Sequence, residues 1–351
     1  MELLTKTLSM VKDIDNCSAE QAQQRLNSLI KPQGSLGRLE TIAIWLAGIK
    51  GNPVPQIGKK VVLIMAADHG VAREGITAFP PQAGNLMIKN FLHQGAAVNV
   101  LANYNKTRFV LVDVGLSGEA VSHPDLFVRR IRAGTRNICR EEAMTRREAI
   151  AALELGIEII NKEIDAGATI VAIGELGIGN TAVSSAILAC LSGRDIREIT
   201  GRGTGLDDCA LTRKQQVIAQ ALEVNRPNLI DPVDILSRVG GLEIGALTGV
   251  IVGSAARSIP VVLDGFVSSI AAWLACRMNP QCRSYLLASH LSEEPGHRIV
   301  LEELKLEPLL DFGLRIGEGT GAVLVFPLIE SAVKIINEMA TMDEVGIKLL
   351  N

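Results

Sequence analysis

Aromatic side chains make up only 3% of the 351 residues, so the chain lacks the stacking platforms that hold single-stranded nucleic acid. It also lacks an excess of one charge. Thirty-five Lys+Arg stand against 38 Asp+Glu, a net charge of −3, which gives neither nucleic acid nor an anionic membrane an electrostatic footprint. No C-x-x-C pair occurs among Cys17, Cys139, Cys190, Cys209, Cys276 and Cys282. Their mostly apolar surroundings read as buried free thiols in a reducing compartment. His93, His123, His290 and His297 show no metal-ligand spacing such as H-x-x-x-H, so no metal site is expected. Long uncharged runs are missing too. The most apolar region, 242–276, is broken by Arg257 and Asp264, short of the roughly 20 residues a membrane span needs. MELLTKTLSMVKDID at the N-terminus has no apolar run of signal-peptide kind. These absences lead to an expected soluble, cytoplasmic protein.

What is present is a globular composition, 48% hydrophobic and 21% charged. KVVLIMAADHG (60–70), TRFVLVDVG (107–115), ATIVAIGELG (168–177) and PVVLDG (260–265) are short, β-branched and continuously apolar, and each ends in Gly or Asp. Strands buried on both faces of a parallel sheet read this way. Helical patterns such as 144–167 and 211–224 lie between them. The alternation predicts an α/β fold with an open, Rossmann-like parallel sheet flanked by helices. Residues 1–30 and 328–351 look helical and carry no strand signal. They are expected to pack together as a smaller helical domain, leaving 31–327 as the large α/β domain.

In open α/β sheets ligands sit beyond the carboxyl ends of the strands, and unusual residues follow several of the apolar runs. GELGIGNT (174–181) has the G-x-x-x-x-G spacing of a phosphate-cradling loop, but Asn180 stands where a P-loop lysine belongs. Nucleoside-triphosphate hydrolysis is therefore not expected, while small residues before a helix N-terminus still suit an anion. A tight turn with nothing bound is the alternative. Glu175 would repel phosphate, so it should face another part of a ligand or make a structural hydrogen bond. TGRGTG (200–205), with Lys214 on the helix that follows, could complete a phosphate site, or it could be a loop beside a solvated lysine. Asp68 and His69 in ADHG end a strand, either for chemistry or as a pair that stabilises the turn.

RIGEGTGA (315–322) places one acid, Glu318, between two glycines. Gly317-x-Gly319-x-x-Ala322 matches a dinucleotide fingerprint, but that motif needs a second strand and an acid about 20 residues on. The remaining residues read as helix, so a dinucleotide-dependent oxidoreductase fails on topology. What remains is a carboxylate on a bare turn. It is either an exposed turn acid or a general base able to approach within about 3 Å of the proton it removes.

KPQGSLGRLE (31–40), ADHGV (67–71), DVG (113–115), GELGIGNT (174–181), RVGG (238–241), LDGF (263–266) and RIGEGTGA (315–322) occur together, in an order and spacing covering almost the whole chain. In these strings the chain closely resembles the nicotinate-nucleotide:dimethylbenzimidazole phosphoribosyltransferases of cobamide assembly. The resemblance implies a Rossmann-like domain plus a small helical domain made from both chain ends, forming a dimer. It implies nicotinate mononucleotide as donor, an aromatic base as acceptor, and an α-riboside 5′-phosphate and nicotinate as products, with no cofactor.

The family's catalytic base falls on Glu318, with Glu175 as a second functional acid. Its phosphate contacts fall on Gly177, Gly179, Asn180, Gly203 and Lys214. Leu176 and Ile316 match its apolar acceptor lining. Pro80 and Ile88 stand where the family often carries a serine and a glutamine. That departure suits a ring with few polar groups, so a phenol or p-cresol, used with a related partner subunit in a heterodimer rather than a homodimer, is the alternative to 5,6-dimethylbenzimidazole. The residues do not select between these acceptors, nor between regioisomers with asymmetric bases. A non-catalytic subunit is the remaining alternative, and retention of Glu318, Glu175 and Lys214 argues against it.

Overall fold

The computed structural model describes residues 1–80 and 83–347. Three helices open the chain, α1 (Glu2–Met10), α2 (Asn16–Ser28) and α3 (Arg38–Lys50). Strand β1 (Lys59–Ala67) is followed by α4 (Ala83–Leu92) and α5 (Ala97–Tyr104), then β2 (Arg108–Gly115) and β3 (Leu126–Val128). Next come α6 (Arg146–Asp165), β4 (Ala168–Leu176), α7 (Asn180–Ser192), α8 (Ile196–Ile199), α9 (Asp208–Asn225), α10 (Pro232–Val239) and α11 (Leu242–Ala256). Strand β5 (Val261–Leu263), α12 (Phe266–Met278), β6 (Leu286–Ala288), β7 (His290–Ser292), α13 (Pro295–Leu304), β8 (Leu310–Leu314), α14 (Thr320–Leu324) and α15 (Phe326–Glu338) complete it.

The main sheet has the order β3-β2-β1-β4-β5-β6, and every pairing is parallel. This is the doubly wound arrangement expected from the continuously apolar runs, and the strand pleat explains why they are apolar throughout. Along β1, Val61, Leu63 and Met65 enter one core, while Val62, Ile64 and Ala66 enter the other. The first core is covered by helices that include α6, α7, α11 and α12. The second is covered by α2–α5, α14 and α15. Neither face of the central strands meets water, so neither carries a polar stripe.

Local signals agree with this packing. Helix α6 opens on a reciprocal capping box. Glu148 N donates to Thr145 Oγ1 (3.2 Å), and Thr145 N donates to Glu148 Oε2 (2.7 Å). Helices α2, α3 and α15 pack on one another. Helix α1 instead lies on α6 and α11, and α3 joins the three-helix group although it follows residue 31. Residues 348–351, part of the expected terminal helical region, lie outside the described residues. The apolar stretch Thr320–Glu338 is long enough by composition to cross a bilayer, but 56% of it is buried in this interior.

Helices α6 and α11 meet backbone to backbone through glycine. A Cβ on Gly156 would lie 1.9 Å from Ala246 O, and one on Gly249 would lie 1.9 Å from Leu153 O. Neither neighbour is a flexible side chain, so the helices must separate to admit a methyl group. Gly249→Ala is expected to lower stability by about 3 kcal/mol, the upper end of ordinary overpacking. Urea unfolding should show this as a lower midpoint with an unchanged slope.

Candidate active site

The carboxyl ends of β4 and β5 open to one cleft, and each ends in a motif noted above. Strand β4 runs into Gly177–Gly179, and α7 starts at Asn180 after Gly179 turns the chain at φ +97°. Gly177 has no room for a side chain, because a Cβ there would lie 2.5 Å from Ala67 O. The second glycine loop comes alongside. Gly203 (φ +53°) donates its N–H to Glu294 Oε1 at 2.7 Å. Lys214 reaches across from α9 and is only 1% exposed. Its Nζ donates to Thr181 Oγ1 (2.9 Å) and Gly201 O (3.0 Å), joining the two loops. Burial lowers the Lys214 pKa and the nearby Glu294 opposes that shift. Gly177, Gly179, Asn180, Gly203 and Lys214 line one hollow, in which a helix N-terminus and a desolvated ammonium suit a phosphate.

The acid turn occupies the adjoining wall. Gly317, Glu318 and Gly319 all have left-handed backbones, at φ +73°, +64° and +77°. Glycine adopts this without cost, but glutamate does not, so something must hold Glu318 there. The holder is Asp264, at the end of β5 and 2% exposed. Its Oδ2 accepts from Gly319 N (3.0 Å), and its Oδ1 accepts from Gly321 N (2.8 Å) and Ala322 N (3.1 Å). These are N–H groups at the start of α14, which has no capping side chain of its own. The turn also rests directly on β4, since a Cβ at Gly174 would lie 2.3 Å from Gly319 N.

Glu175 and Glu318 line the same cleft, together with Leu176 and Ile316. The cleft has about 710 Å³ of empty space including its open mouth. Burial, and then the charges of Asp264, Glu243 and Glu318, push the Glu175 carboxyl up to about 8. Burial and the Asp264 charge push Glu318 up to about 7. At neutral pH the pair therefore holds a proton, largely on Glu175, while Glu318 is partly ionised and able to accept one.

The acceptor-side residues are placed unevenly. Leu176 and Ile316 are on the wall, but Ile88 is not. It is fully buried in the core beneath α4. Successive residues on a helix point about 100° apart, and it is Met87 that turns to the cleft. Pro80 is exposed beside the wall residue Phe79, and its carbonyl accepts from Ala83 N at 2.9 Å. Asp68 and His69 do not pair with each other across the turn. Asp68 accepts from Ser117 N (2.8 Å), and His69 Nε2 lies 2.7 Å from Glu243 Oε1 in a buried pair beneath the first glycine loop. Asp264, Glu294, Phe79, Met87 and Arg315 are site residues that the motifs did not assign. Asp264 had a signal, an acid at the end of a strand. Glu294 had none.

Asp264→Ala should leave three buried N–H groups without an acceptor. A loss of about 3 kcal/mol or more is expected, at about 1–3 kcal/mol for each unsatisfied group, read by urea unfolding. Asp264→Asn keeps the size but removes the charge that raises Glu318. Glu318 should then ionise at lower pH, and the acid limb of any Glu318-dependent activity should move below about 7.

Comparison with known proteins identifies the family. A family model described as phosphoribosyltransferase matches residues 11–347. The nicotinate-nucleotide–dimethylbenzimidazole phosphoribosyltransferase of Desulforamulus reducens is 51% identical over 348 residues, covering 99% of each chain. That of Chloroflexus aggregans is 48% identical over 99% of this chain and 98% of its own. The crystal structure of the Thermus thermophilus protein of the same name superposes with a TM-score of 0.91 at 41% identity, covering 96% of this chain and all of that one. A second structure from the same organism, described as CobT, superposes with a TM-score of 0.90 at 43% identity, covering 94% of this chain and 99% of that one. The chain belongs to the nicotinate-nucleotide–dimethylbenzimidazole phosphoribosyltransferase family.

Proposed function

We propose that the cleft transfers the phosphoribosyl group of nicotinate mononucleotide to an aromatic acceptor, 5,6-dimethylbenzimidazole or a related base, giving an α-riboside 5′-phosphate and nicotinate. The observation that carries this reading is the adjacency of two unlike sites. A phosphate cradle closed by buried Lys214 opens into the wall that presents Glu318 and Glu175.

The 5′-phosphate sits on the Gly177–Asn180 turn, beside Gly203 and Lys214. This places C1 of the ribose near the two carboxyls. Nicotinate leaves from a cationic pyridinium nitrogen, and the electron pair of the breaking C1–N bond returns to the ring. Its departure therefore needs little acid help. The acceptor nitrogen attacks C1 from the opposite face. The proton on its other nitrogen passes to Glu318, whose negative charge also offsets the positive charge growing on base and sugar. Neutral Glu175 supplies a hydrogen-bond donor where Glu318 supplies an acceptor.

The wall formed by Phe79, Met87, Leu176 and Ile316 is apolar, which favours a flat ring with few polar groups. A phenol or p-cresol, working with a related subunit, is the second acceptor reading that this wall supports. Assembly as a homodimer or such a heterodimer belongs to the same proposal. Six free cysteines support a cytoplasmic setting.

The decisive experiment incubates purified protein with nicotinate mononucleotide and a panel of benzimidazoles, purines and phenols, and identifies ribosides by mass spectrometry. An α-riboside phosphate of a benzimidazole is the expected product. Phenolic O-ribosides would shift the acceptor assignment, and no riboside from any acceptor would overturn the reading.

Lys214→Ala should raise the donor KM strongly and leave the acceptor KM nearly intact, because an unpaired buried charged contact costs about 2–5 kcal/mol. An unchanged donor KM would take Lys214 out of the site. Glu318→Gln should fold and bind both substrates but lose about 10²–10⁴-fold in turnover. In the parent protein, kcat/KM should fall below about pH 7, where Glu318 takes up its proton, and fall again above about pH 8, where Glu175 loses its donor. A profile flat across that window would rule out the pair.

A further inference from the structure

Asn180 stands in the lysine position of a phosphate loop, and its side chain does not point at the phosphate hollow alone. It is 7% exposed as the first residue of α7, and its Nδ2 donates to Glu175 Oε2. On the far side of the same carboxyl, Oε1 lies against the acid turn, where a Cβ at Gly317 would come within 2.7 Å of it. Glu175 is thus gripped at one oxygen by the phosphate loop and faces the Glu318 turn with the other. We propose that Asn180 is a positioning residue. Its side-chain amide fixes the Glu175 carboxyl so that the oxygen able to carry a proton faces Glu318, which makes the phosphate loop and the proton-transfer pair one mechanical unit.

The chemistry of the amide explains why Asn rather than Lys occupies this position. An ammonium beside Glu175 would hold it as a carboxylate and remove its proton. An amide N–H grips the carboxyl without a full charge and leaves it able to stay neutral. Because that N–H occupies Oε2 as an acceptor, the proton of neutral Glu175 resides on Oε1. The other charged groups facing Glu175 are acids, namely Asp264 from the end of β5, Glu243 from α11 and Glu318 from the turn. His69 is engaged with Glu243, and Arg315 lines the cleft. With three acids around it, neutrality is the state that Glu175 adopts near pH 7, and Asn180 determines where its proton points.

This inference rests on the phosphoribosyl-transfer reading, and the test separates the two. Asn180→Ala is assayed with nicotinate mononucleotide and dimethylbenzimidazole between pH 6 and 9, beside the parent protein and Lys214→Ala. Without the amide, the ionised form of Glu175 loses a hydrogen bond, so its pKa rises and the basic limb of the profile moves to higher pH. We expect kcat to fall about tenfold or more, the donor KM to stay within about threefold, and the acid limb to stay in place. Lys214→Ala should show the opposite split, with a raised donor KM and unmoved limbs. Asn180→Ser, which removes the amide but keeps a small polar residue at the start of α7, should show the same split as Asn180→Ala, and it decides the matter should Asn180→Ala fail to fold. A donor KM raised tenfold with kcat and limbs unchanged would make Asn180 a phosphate ligand and overturn the proposal, as would a variant equal to the parent. Inactivity of the parent protein would instead refute the underlying reading.

Discussion

The active-site geometry depends on one carboxylate that need not touch substrate. Asp264 collects three backbone N–H groups from residues 319–322, which lie 55–58 positions further along the chain. These donors belong to the first turn of a helix too short to stabilise itself. By accepting from them, Asp264 fixes that turn to the end of β5, and the preceding left-handed residues follow. Glycines finish the placement. Gly174 lets the turn lie against β4, and Gly321 leaves room for the His290 ring. Glu318 is therefore carried by two strands of the central sheet and not by a free loop.

The same charge sets the chemistry. Asp264 accepts hydrogen bonds from three N–H groups, and its charge disfavours ionisation of Glu318 and Glu175, both already desolvated. A cleft with this much acid at one end and Lys214 with a helix N-terminus at the other is electrically polar. On the proposed reading, the donor is polar in the matching sense, with phosphate at one end and pyridinium at the other. Charge alone would then orient it, and the acid end would favour the cationic sugar of the transition state more than the neutral product.

Much of this is legible in the amino-acid sequence because it rests on local constraints. Strands buried on both faces must be continuously apolar, so the parallel sheet shows in residues 60–67 and 168–173. Left-handed and close-packed backbone requires glycine, so both glycine loops and the Glu318 turn are visible. Other features rest on contacts between distant segments and leave no local trace. The role of Asp264 depends on N–H groups, which nearly every residue type supplies. Glu294 acts on Gly203 across 91 positions. Alignment alone puts Ile88 in the pocket, and the helical rotation between neighbours puts Met87 there instead. The motif speaks for the backbone of Asn180, while its side chain serves Glu175.

The proposed acceptor wall bears on how selectivity arises in such a site. Phe79, Met87, Leu176 and Ile316 offer shape but no hydrogen bonds, and an apolar wall separates rings that differ by a methyl group by only about 1–3 kcal/mol. Stronger discrimination requires a polar group that a wrong ligand leaves unpaired. The polar groups beside Leu176 and Ile316 in the cleft include Glu175, Arg315 and Glu318. On the proposed reading, selection falls on the feature that the two acids can sense, a ring-borne proton acidic enough to be given up as C1 is attacked. Azoles and phenols share that feature, and a ring without it has nothing to offer Glu318. On that reading, the range of acceptors follows from an apolar wall joined to one proton-transfer pair.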